Sequence, residues 1–197
     1  MIFSKDKKIL IVGLGLLGGC YAMALKKQGF SVFAITLSQE DVDYALENGI
    51  IDKGTTKVDE EIIAEADIIV FALYPNVFKK WIEENAHLIK SGTVITDVTG
   101  VKECIVYDIQ SRLPKGVEFI SAHPMAGREV GGVQNSDDKI FKNANYIVVP
   151  TESNTQNAIE LCKSLGETLG FAKISVLSPE EHDKMIAFLS QLTHCIA

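Results

Sequence analysis

A glycine-rich turn placed directly after an apolar run constrains the fold of this chain most strongly. The run at 9–12 (Ile-Leu-Ile-Val) leads without a break into Gly13-Leu-Gly-Leu-Leu-Gly18, and a helical pattern spans 16–28. In a strand–turn–helix unit, such glycines permit a tight turn, the approach of a pyrophosphate to the backbone, and close helix–strand packing. Because a second strand pattern follows at 32–35, the segment predicts a dinucleotide-binding unit with phosphate at the start of the helix.

Strand and helix patterns alternate along the rest of the chain. Further strands are predicted at 68–73, 94–96, 117–121, 146–149 and 172–176, and further helices at 39–48, 58–64, 77–89, 101–113 and 155–169. This order predicts an α/β fold with a doubly wound, mostly parallel, Rossmann-like sheet. Ser178, Pro179 and Glu181 form a capping-box pattern that begins a last helix. We expect a dinucleotide-binding domain at 1–177 and, at 178–197, the truncated start of an all-helical C-terminal domain.

Composition and charge exclude several classes of function. The net charge is −7 and no run of Lys or Arg exceeds two residues, which argues against nucleic-acid binding. No apolar run approaches the ~18 residues of a membrane helix, and the polar amino terminus lacks the apolar core of a signal peptide. Four scattered cysteines fit the reduced thiols of a cytoplasmic protein, with no disulfide frame and no metal site expected. They are Cys20, Cys104, Cys162 and Cys195.

The end of the second predicted strand bears on the choice of dinucleotide. NAD sites usually carry Asp or Glu about 20 residues past the last glycine of the turn, whereas this chain has Thr36 and Ser38 there, with no arginine. Their hydroxyls can donate to a 2′-phosphate, which gives a slight preference for NADP over NAD. The alternative is that both are only turn residues.

A histidine that follows the predicted strand 117–121 is the candidate base. His123 lies at the carboxyl end of that strand, where ligands bind in open α/β sheets, and Pro124 and Gly127 are expected to shape a rigid loop around it. A neutral imidazole can accept the proton of an alcohol while the carbon loses hydride. A lone loop histidine is more often structural, but the dinucleotide turn favours the catalytic interpretation.

The last predicted helix carries a stripe of small and polar side chains. Five of them fall within ~40° of one line along the helix: Asp183, Ala187, Ser190, His194 and Ala197. Such a stripe is a poor core face and suits either a site or the close approach of another helix. His182 lies on another face, about 100° from Asp183, and we expect it to have a structural role.

Four motifs in this order resemble the prephenate/arogenate dehydrogenase family of tyrosine biosynthesis. They are the glycine turn at 13–18, the loop Thr96-Asp-Val-Thr-Gly-Val-Lys102, the segment His123-Pro-Met-Ala-Gly127 with Glu129, and Glu181-His-Asp183 leading to Ser190-Gln-Leu-Thr-His194. Together they span nearly the whole chain. The histidine segment and the terminal helix motif are specific to the family, whereas the glycine turn alone is not.

The resemblance implies oxidative decarboxylation of prephenate to 4-hydroxyphenylpyruvate, with hydride transfer to NAD(P). His123 would accept the hydroxyl proton, and aromatisation of the ring would drive the reaction. Residues predicted to bind the cofactor are Gly13, Gly15, Leu16, Leu17, Gly18, Thr36, Ser38, Leu73, Tyr74, Pro75 and Asp97. Residues predicted to bind the substrate are Arg128, Glu129, Ser190 and His194. Asp97 and Lys102 are also expected to fix the loop that they flank.

The chain departs from the family pattern at two positions. Many members have Gly-Ser where this chain has Thr99-Gly100, so the serine that partners the catalytic histidine is either lost or replaced by Thr99, which we predict to be catalytic. The alternative is that Thr99 caps the following helix. Arg128 stands where a small hydroxyl residue is common, and it fits either bidentate binding of a substrate carboxylate or an exposed loop charge. Glu129 matches a family acid or is surface charge.

In the family, an all-helical domain forms a homodimer and supplies basic residues for the substrate. The resemblance therefore implies that these 197 residues bind nucleotide but turn over poorly. Other interpretations stay open at this point. They are arogenate specificity, a related β-hydroxyacid or imine reductase, and a nucleotide-sensing module without catalysis.

Overall fold

The apolar run that follows Lys8 forms a central strand of a six-stranded parallel sheet in the computed structural model, which describes residues 3–188. The strands are β1 (Lys8–Val12), β2 (Ser31–Ile35), β3 (Lys53–Thr55), β4 (Ile68–Phe71), β5 (Val94–Asp97), β6 (Glu118–Phe119), β7 (Ser121–Pro124), β8 (Asn145–Val149) and β9 (Lys173–Val176). The first sheet has the order β3-β2-β1-β4-β5-β6, and a second sheet has the order β7-β8-β9.

Helices cover both faces of the parallel sheet, and the last of those among residues 3–188 packs on a neighbouring helix. They are α1 (Leu16–Lys27), α2 (Gln39–Glu47), α3 (Glu60–Glu65), α4 (Pro75–Asn85), α5 (Glu103–Arg112), α6 (Gln156–Leu169) and α7 (Pro179–Ile186). Short 3₁₀ turns lie at Ala86–Leu88, Val133–Asn135 and Asp138–Phe141. Among residues 3–188, no helix has the length and apolar character needed to cross a membrane.

Alternation along β1 divides the core into two clusters. Ile9 and Ile11 pack in the cluster that includes buried residues of α1 and α6. Leu10 and Val12 pack in the cluster that includes α3, α4 and α5. Successive side chains of a strand point to opposite faces, so a strand that is apolar at every position requires cover on both sides. The predicted doubly wound, mostly parallel sheet is confirmed.

The predicted strand at 117–121 is in fact two strands in two sheets. Glu118–Phe119 pairs in parallel with β5, and Ser121–Pro124 pairs antiparallel with β8. His123 lies opposite Ile147 in this second pairing. The prediction that His123 lies on a loop is therefore wrong. Pro124 suggested an end to the strand, but a proline can occupy an edge or terminal position of a strand, where no ladder N–H is required.

The start of the last helix follows its predicted capping box. Ser178 Oγ accepts a hydrogen bond from Glu181 N at 3.1 Å, and Glu181 Oε2 accepts one from Ser178 N at 2.9 Å. The helix α7 packs against α5 and is described as far as Ile186. Ser190, His194 and Ala197 of the predicted stripe lie outside the described residues.

Candidate active site

A cleft of about 430 Å³ opens beyond the carboxyl ends of β1, β4, β5 and β7. Its walls are the segments that follow these strands, at 15–18, 72–75, 98–100, 127–128 and 130–132. The strand order reverses between β1 and β4, and ligands of open α/β sheets bind at such a switch point. The volume lies in the range of small-molecule sites.

The glycine turn fits the phosphates of a dinucleotide. Gly13 has φ +96°, and a Cβ there would lie 2.5 Å from the carbonyl oxygen of Ala72. A Cβ at Gly18 would collide with the carbonyl oxygen of Gly13. Gly15, by contrast, has nothing within 4 Å of its Cβ position, and as N-cap of α1 it makes no side-chain capping bond. The backbone N–H groups of the first turn of α1 are therefore accessible to an anion in the cleft.

The segment after β2, where the ribose of such a ligand would bind, carries both a hydroxyl group and carboxylates. Ser38 caps α2, with Oγ accepting a hydrogen bond from Asp41 N at 3.1 Å, which is the structural role left open by the sequence. Its hydroxyl hydrogen is still free to donate. The first turn of α2 carries Glu40 and Asp41, two negative charges that oppose a 2′-phosphate.

His123 lies next to the cleft wall, with one ring nitrogen against another histidine and the other beside Gly100. Its Nδ1 lies 2.8 Å from Nε2 of His182. Its Nε2 is 3.6 Å from the position of a Cβ at Gly100, a residue of the cleft wall. Burial lowers the pKa of His123 to about 4, and the positive charge of Lys102 contributes in the same direction. The imidazole is therefore neutral near pH 7 and can accept a proton.

A buried ion pair holds the loop after β5 against the start of β7. Asp97 and Lys102 both have side chains with 0% exposure, and their Oδ2–Nζ distance is 2.9 Å. Asp97 Oδ1 accepts hydrogen bonds from Ser121 Oγ and Ala122 N, while Lys102 Nζ donates to Ala122 O at 2.6 Å. Burial lowers the pKa of Lys102, and Asp97 opposes this effect. The network fixes the backbone immediately before His123.

The contacts of Asp97 within the protein bear on its predicted role at the cofactor, which stays a prediction. Asp97 Oδ2 accepts hydrogen bonds from the backbone N and the hydroxyl of Thr99 and from Lys102, and Oδ1 is engaged as described. Both carboxylate oxygens are thus engaged by protein groups, and Asp97 has 0% exposed surface. Its expected role in fixing the loop is what the structure supports.

Thr99 lines the cleft, but its hydroxyl is engaged elsewhere. Thr99 Oγ1 lies within hydrogen-bond distance of Asp97 Oδ2 and, at 3.0 Å, of Val101 O. It is also 3.2 Å from Lys102 Nζ. The position adjacent to His123 is Gly100, where a serine Cβ would make an ordinary van der Waals contact with the imidazole. A catalytic role for Thr99 stays a prediction, and the observed contacts favour a part in the buried network.

Comparison with known proteins adds evidence independent of this geometry. The family described as prephenate dehydrogenase, nucleotide-binding domain, matches residues 21–176. The chain belongs to the prephenate dehydrogenase family. It is 35% identical over 196 residues to a prephenate dehydrogenase of Bacillus subtilis, covering 96% of this chain and 51% of that protein. The chain spans about half the length of the curated relatives that it matches.

Two solved structures of the family have the same fold. One is prephenate dehydrogenase from Aquifex aeolicus in complex with hydroxyphenyl propionate and NAD+, with a TM-score of 0.88, 29% identity, and coverage of 96% of this chain and 66% of that chain. The other is Synechocystis arogenate dehydrogenase, with a TM-score of 0.86, 28% identity, and coverage of 94% and 64%. Prephenate and arogenate dehydrogenases thus share this fold.

The structure brings many, but not all, of the predicted site residues of this family member together. Those on the cleft wall are Gly15, Leu16, Leu17, Gly18, Leu73, Tyr74, Pro75, Thr99 and Arg128. Arg128 is half exposed and lies 3.8 Å from Asp137 Oδ2. Thr36 and Ser38 lie after β2 and are not part of that wall, and Glu129 is exposed on the loop. Ser190 and His194 lie outside the described residues.

Sequence reasoning missed the partner of the candidate base. It assigned His182 a structural role, because only the faces of its own helix were compared. The structure buries His182 against His123, with its Nδ1 2.7 Å from Asp183 Oδ1. The motif Glu181-His-Asp183 was the available signal. Gly131 and Gly132, which also line the cleft, were missed although a glycine pair indicates close backbone approach.

Within residues 3–188, no cluster of His, Cys, Asp and Glu could hold a metal ion.

Proposed function

We propose that this chain catalyses hydride transfer from prephenate to a nicotinamide dinucleotide, with oxidative decarboxylation to 4-hydroxyphenylpyruvate, in tyrosine biosynthesis. The observation that carries the proposal is the neutral imidazole of His123, whose Nε2 edge lies beside Gly100 on the wall of the cleft that begins at the glycine turn. Membership of the prephenate dehydrogenase family supports the choice of substrate class.

The residues that would hold the cofactor follow from the cleft wall. The turn at 13–18 and the start of α1 would hold the pyrophosphate, and the segment 72–75 would line the opposite side. A bound nicotinamide would supply the hydride acceptor. The NAD+ named in the Aquifex aeolicus complex supports a nicotinamide group for this chain.

The protein's own part in the reaction is to place one base and one cation around the substrate. His123 Nε2 would accept the hydroxyl proton as the neighbouring carbon loses hydride. The buried pair of Asp97 and Lys102 would keep the backbone before His123 in place, and the charge of Lys102 helps to keep the imidazole neutral. Arg128, on the cleft wall, would bind a substrate carboxylate with its planar guanidinium, with Glu129 nearby as a further polar contact.

Arogenate is the second candidate substrate. It differs from prephenate by one amino group on the side chain, and an arogenate dehydrogenase is among the similar structures. Because Gly100 stands where many family members have serine, a nucleotide-binding module without catalysis is the third candidate function. A single experiment separates these three functions.

The test is a single-turnover measurement with the chain in excess over substrate, which detects chemistry even where turnover is poor. Reduced nicotinamide is followed by absorbance after addition of prephenate or arogenate, with NAD or NADP. We expect reduction with prephenate and the release of CO₂. Faster reduction with arogenate would reassign the substrate. Dinucleotide binding without reduction by either substrate would contradict an enzymatic function.

The cofactor preference is a separate prediction. We propose that NADP binds more tightly than NAD by roughly two- to tenfold, the equivalent of one net hydrogen bond of about 0.5–1.5 kcal/mol. The hydroxyls of Thr36 and Ser38 favour the 2′-phosphate, while Glu40 and Asp41 limit the gain. Titration of the chain with both dinucleotides measures the ratio. Thr36→Val is expected to reduce it, and a strong preference for NAD would refute the prediction.

We also propose that 178–197 begins a helical domain through which the whole protein forms a homodimer in the cytoplasm, separate from the dinucleotide-binding domain at 1–177. Support comes from the capping box that begins α7 and from the greater length of the curated relatives.

A further inference from the structure

Two histidines from distant parts of the chain are in hydrogen-bond contact beside the cleft. His123 Nδ1 and His182 Nε2 are 2.8 Å apart across 59 residues of sequence, and the two rings meet at 62°. His182 has no exposed surface. Its other nitrogen, Nδ1, lies 2.7 Å from Asp183 Oδ1. The three side chains form a continuous line from α7 to the candidate base.

The acceptor at the far end of this line fixes where the protons lie. The Asp183 carboxylate accepts hydrogen bonds from the backbone N atoms of Lys102 and Glu103 at 2.9–3.2 Å. An ionised carboxylate is an acceptor only, so the nitrogen of His182 that faces it must carry a proton. Burial lowers the pKa of His182, so the ring is neutral near pH 7 and holds a single N–H, on Nδ1.

The position of the ring proton of His123 follows in the same way. With its proton on Nδ1, His182 has a bare Nε2 that can only accept. The contact of 2.8 Å is a hydrogen bond only when His123 carries its proton on Nδ1. Because His123 is also neutral near pH 7, its Nε2 has no proton, and this is the nitrogen beside Gly100 at the cleft.

We propose that His182, held by Asp183, is a positioning residue that fixes the tautomer of His123 and leaves the Nε2 of His123 unprotonated toward the cleft. The tautomer of a histidine is set by the hydrogen bond that its other nitrogen makes. The charged groups around His123 are Lys102, Asp97 and Asp183. The proposal rests on the proposed function only in making His123 the base. The tautomer itself does not depend on it.

The direct test is a long-range ¹H–¹⁵N NMR spectrum of the chain at neutral pH, which separates protonated from unprotonated ring nitrogens. The chain has four histidines, and correlations from each ring to its own assigned backbone identify the four signals in the unmodified chain. We expect Nδ1 of both His123 and His182 to carry the proton. An Nε2-protonated His123 in the unmodified chain would overturn the proposal, and this result requires no variant to fold.

Two substitutions at one position separate positioning from structure. His182→Leu removes the acceptor, so His123 is expected to shift to the Nε2-protonated tautomer. The rate of hydride transfer should fall on the order of ten- to a hundredfold, part of the ~10²–10⁴ that a general base contributes. His182→Gln can place a side-chain oxygen near the position of Nε2 and should restore both the tautomer and most of the rate. An unchanged His123 signal in His182→Leu would contradict the proposal.

A matched control is the exposed His87 in the 3₁₀ turn Ala86–Leu88, where His87→Leu should change neither the His123 signal nor the rate. The NMR experiment and the kinetic experiment test two different claims, the tautomer and the proposed function. If the spectra behave as expected but neither prephenate nor arogenate is oxidised, the proposed function is wrong and the tautomer assignment holds.

Discussion

Replacing His123 with asparagine is expected to lower the rate of hydride transfer by about 10²–10⁴-fold, the usual contribution of a positioned general base. Dinucleotide binding should be unchanged, because the glycine turn and the segment 72–75 are separate from the imidazole. Asparagine suits the test because its amide nitrogen can take the place of Nδ1 and still donate to His182. The variant thus removes Nε2 with little change to the buried contact seen at 2.8 Å.

The pH dependence of the same reaction gives an independent check. In the proposed function the neutral form of His123 is the active one, and burial places its pKa at about 4, below the ordinary value of 6.5. The ratio kcat/KM of the unmodified chain should therefore stay high as the pH falls through 6.5 and decline only near pH 4. The His123→Asn variant should lack this decline.

His87→Asn is the matched control for this substitution, since His87 is exposed and is not one of the residues that line the cleft. Rates are measured by reduced nicotinamide absorbance under single-turnover conditions, and affinity by titration with the dinucleotide. Near-normal rates in His123→Asn would exclude His123 as the base. A decline in kcat/KM centred at pH 6.5 would contradict the lowered pKa and show that the imidazole titrates as an exposed side chain does.

Local sequence patterns predicted the strand–helix order well, for a physical reason. A strand covered on both faces is apolar at every position, as at 9–12, and the glycine turn after it leaves few alternatives to a helix packed on the strand. Two features of the fold were not predicted. The strand Lys53–Thr55 has three residues, including a glycine, and is too short and polar to give a pattern. The division between β6 and β7 depends on pairing with β8, which no local pattern encodes.

The candidate site was only partly predictable, because burial and long-range contact decide the role of each residue. His123 was identified from its position after a strand, although it lies within one. The sequence left Asp97 between fixing its loop and contacting the cofactor, and no local pattern shows that its oxygens bind Ser121 and Lys102. His182 reaches His123 through the packing of α7, a relation that angles around a single helix cannot reveal.

Replacing Lys102 with methionine is expected to destabilise the chain by about 3–5 kcal/mol, the typical result of removing one partner from a buried ion pair. Methionine fills a similar volume, but it leaves the Asp97 carboxylate without its countercharge and the carbonyl of Ala122 without its donor. Both side chains of the pair have 0% exposure, so water cannot replace the lost contacts. Urea unfolding, with the free energy extrapolated to zero denaturant, measures the effect.

A double variant separates unpaired charge from lost packing. Asp97→Asn combined with Lys102→Met removes both charges and should be more stable than Lys102→Met alone. Lys80→Met is the control, because Lys80 pairs with Glu84 at an exposed site, where a substitution is expected to change stability by under about 1 kcal/mol. If the double variant were no more stable than Lys102→Met, the charge of Asp97 would not be the cause of the lost stability.

Since the charge of Lys102 lowers the pKa of His123, any folded Lys102→Met protein should also show a higher pKa for this imidazole. The buried pair would then affect both the stability of the fold and the protonation of the base.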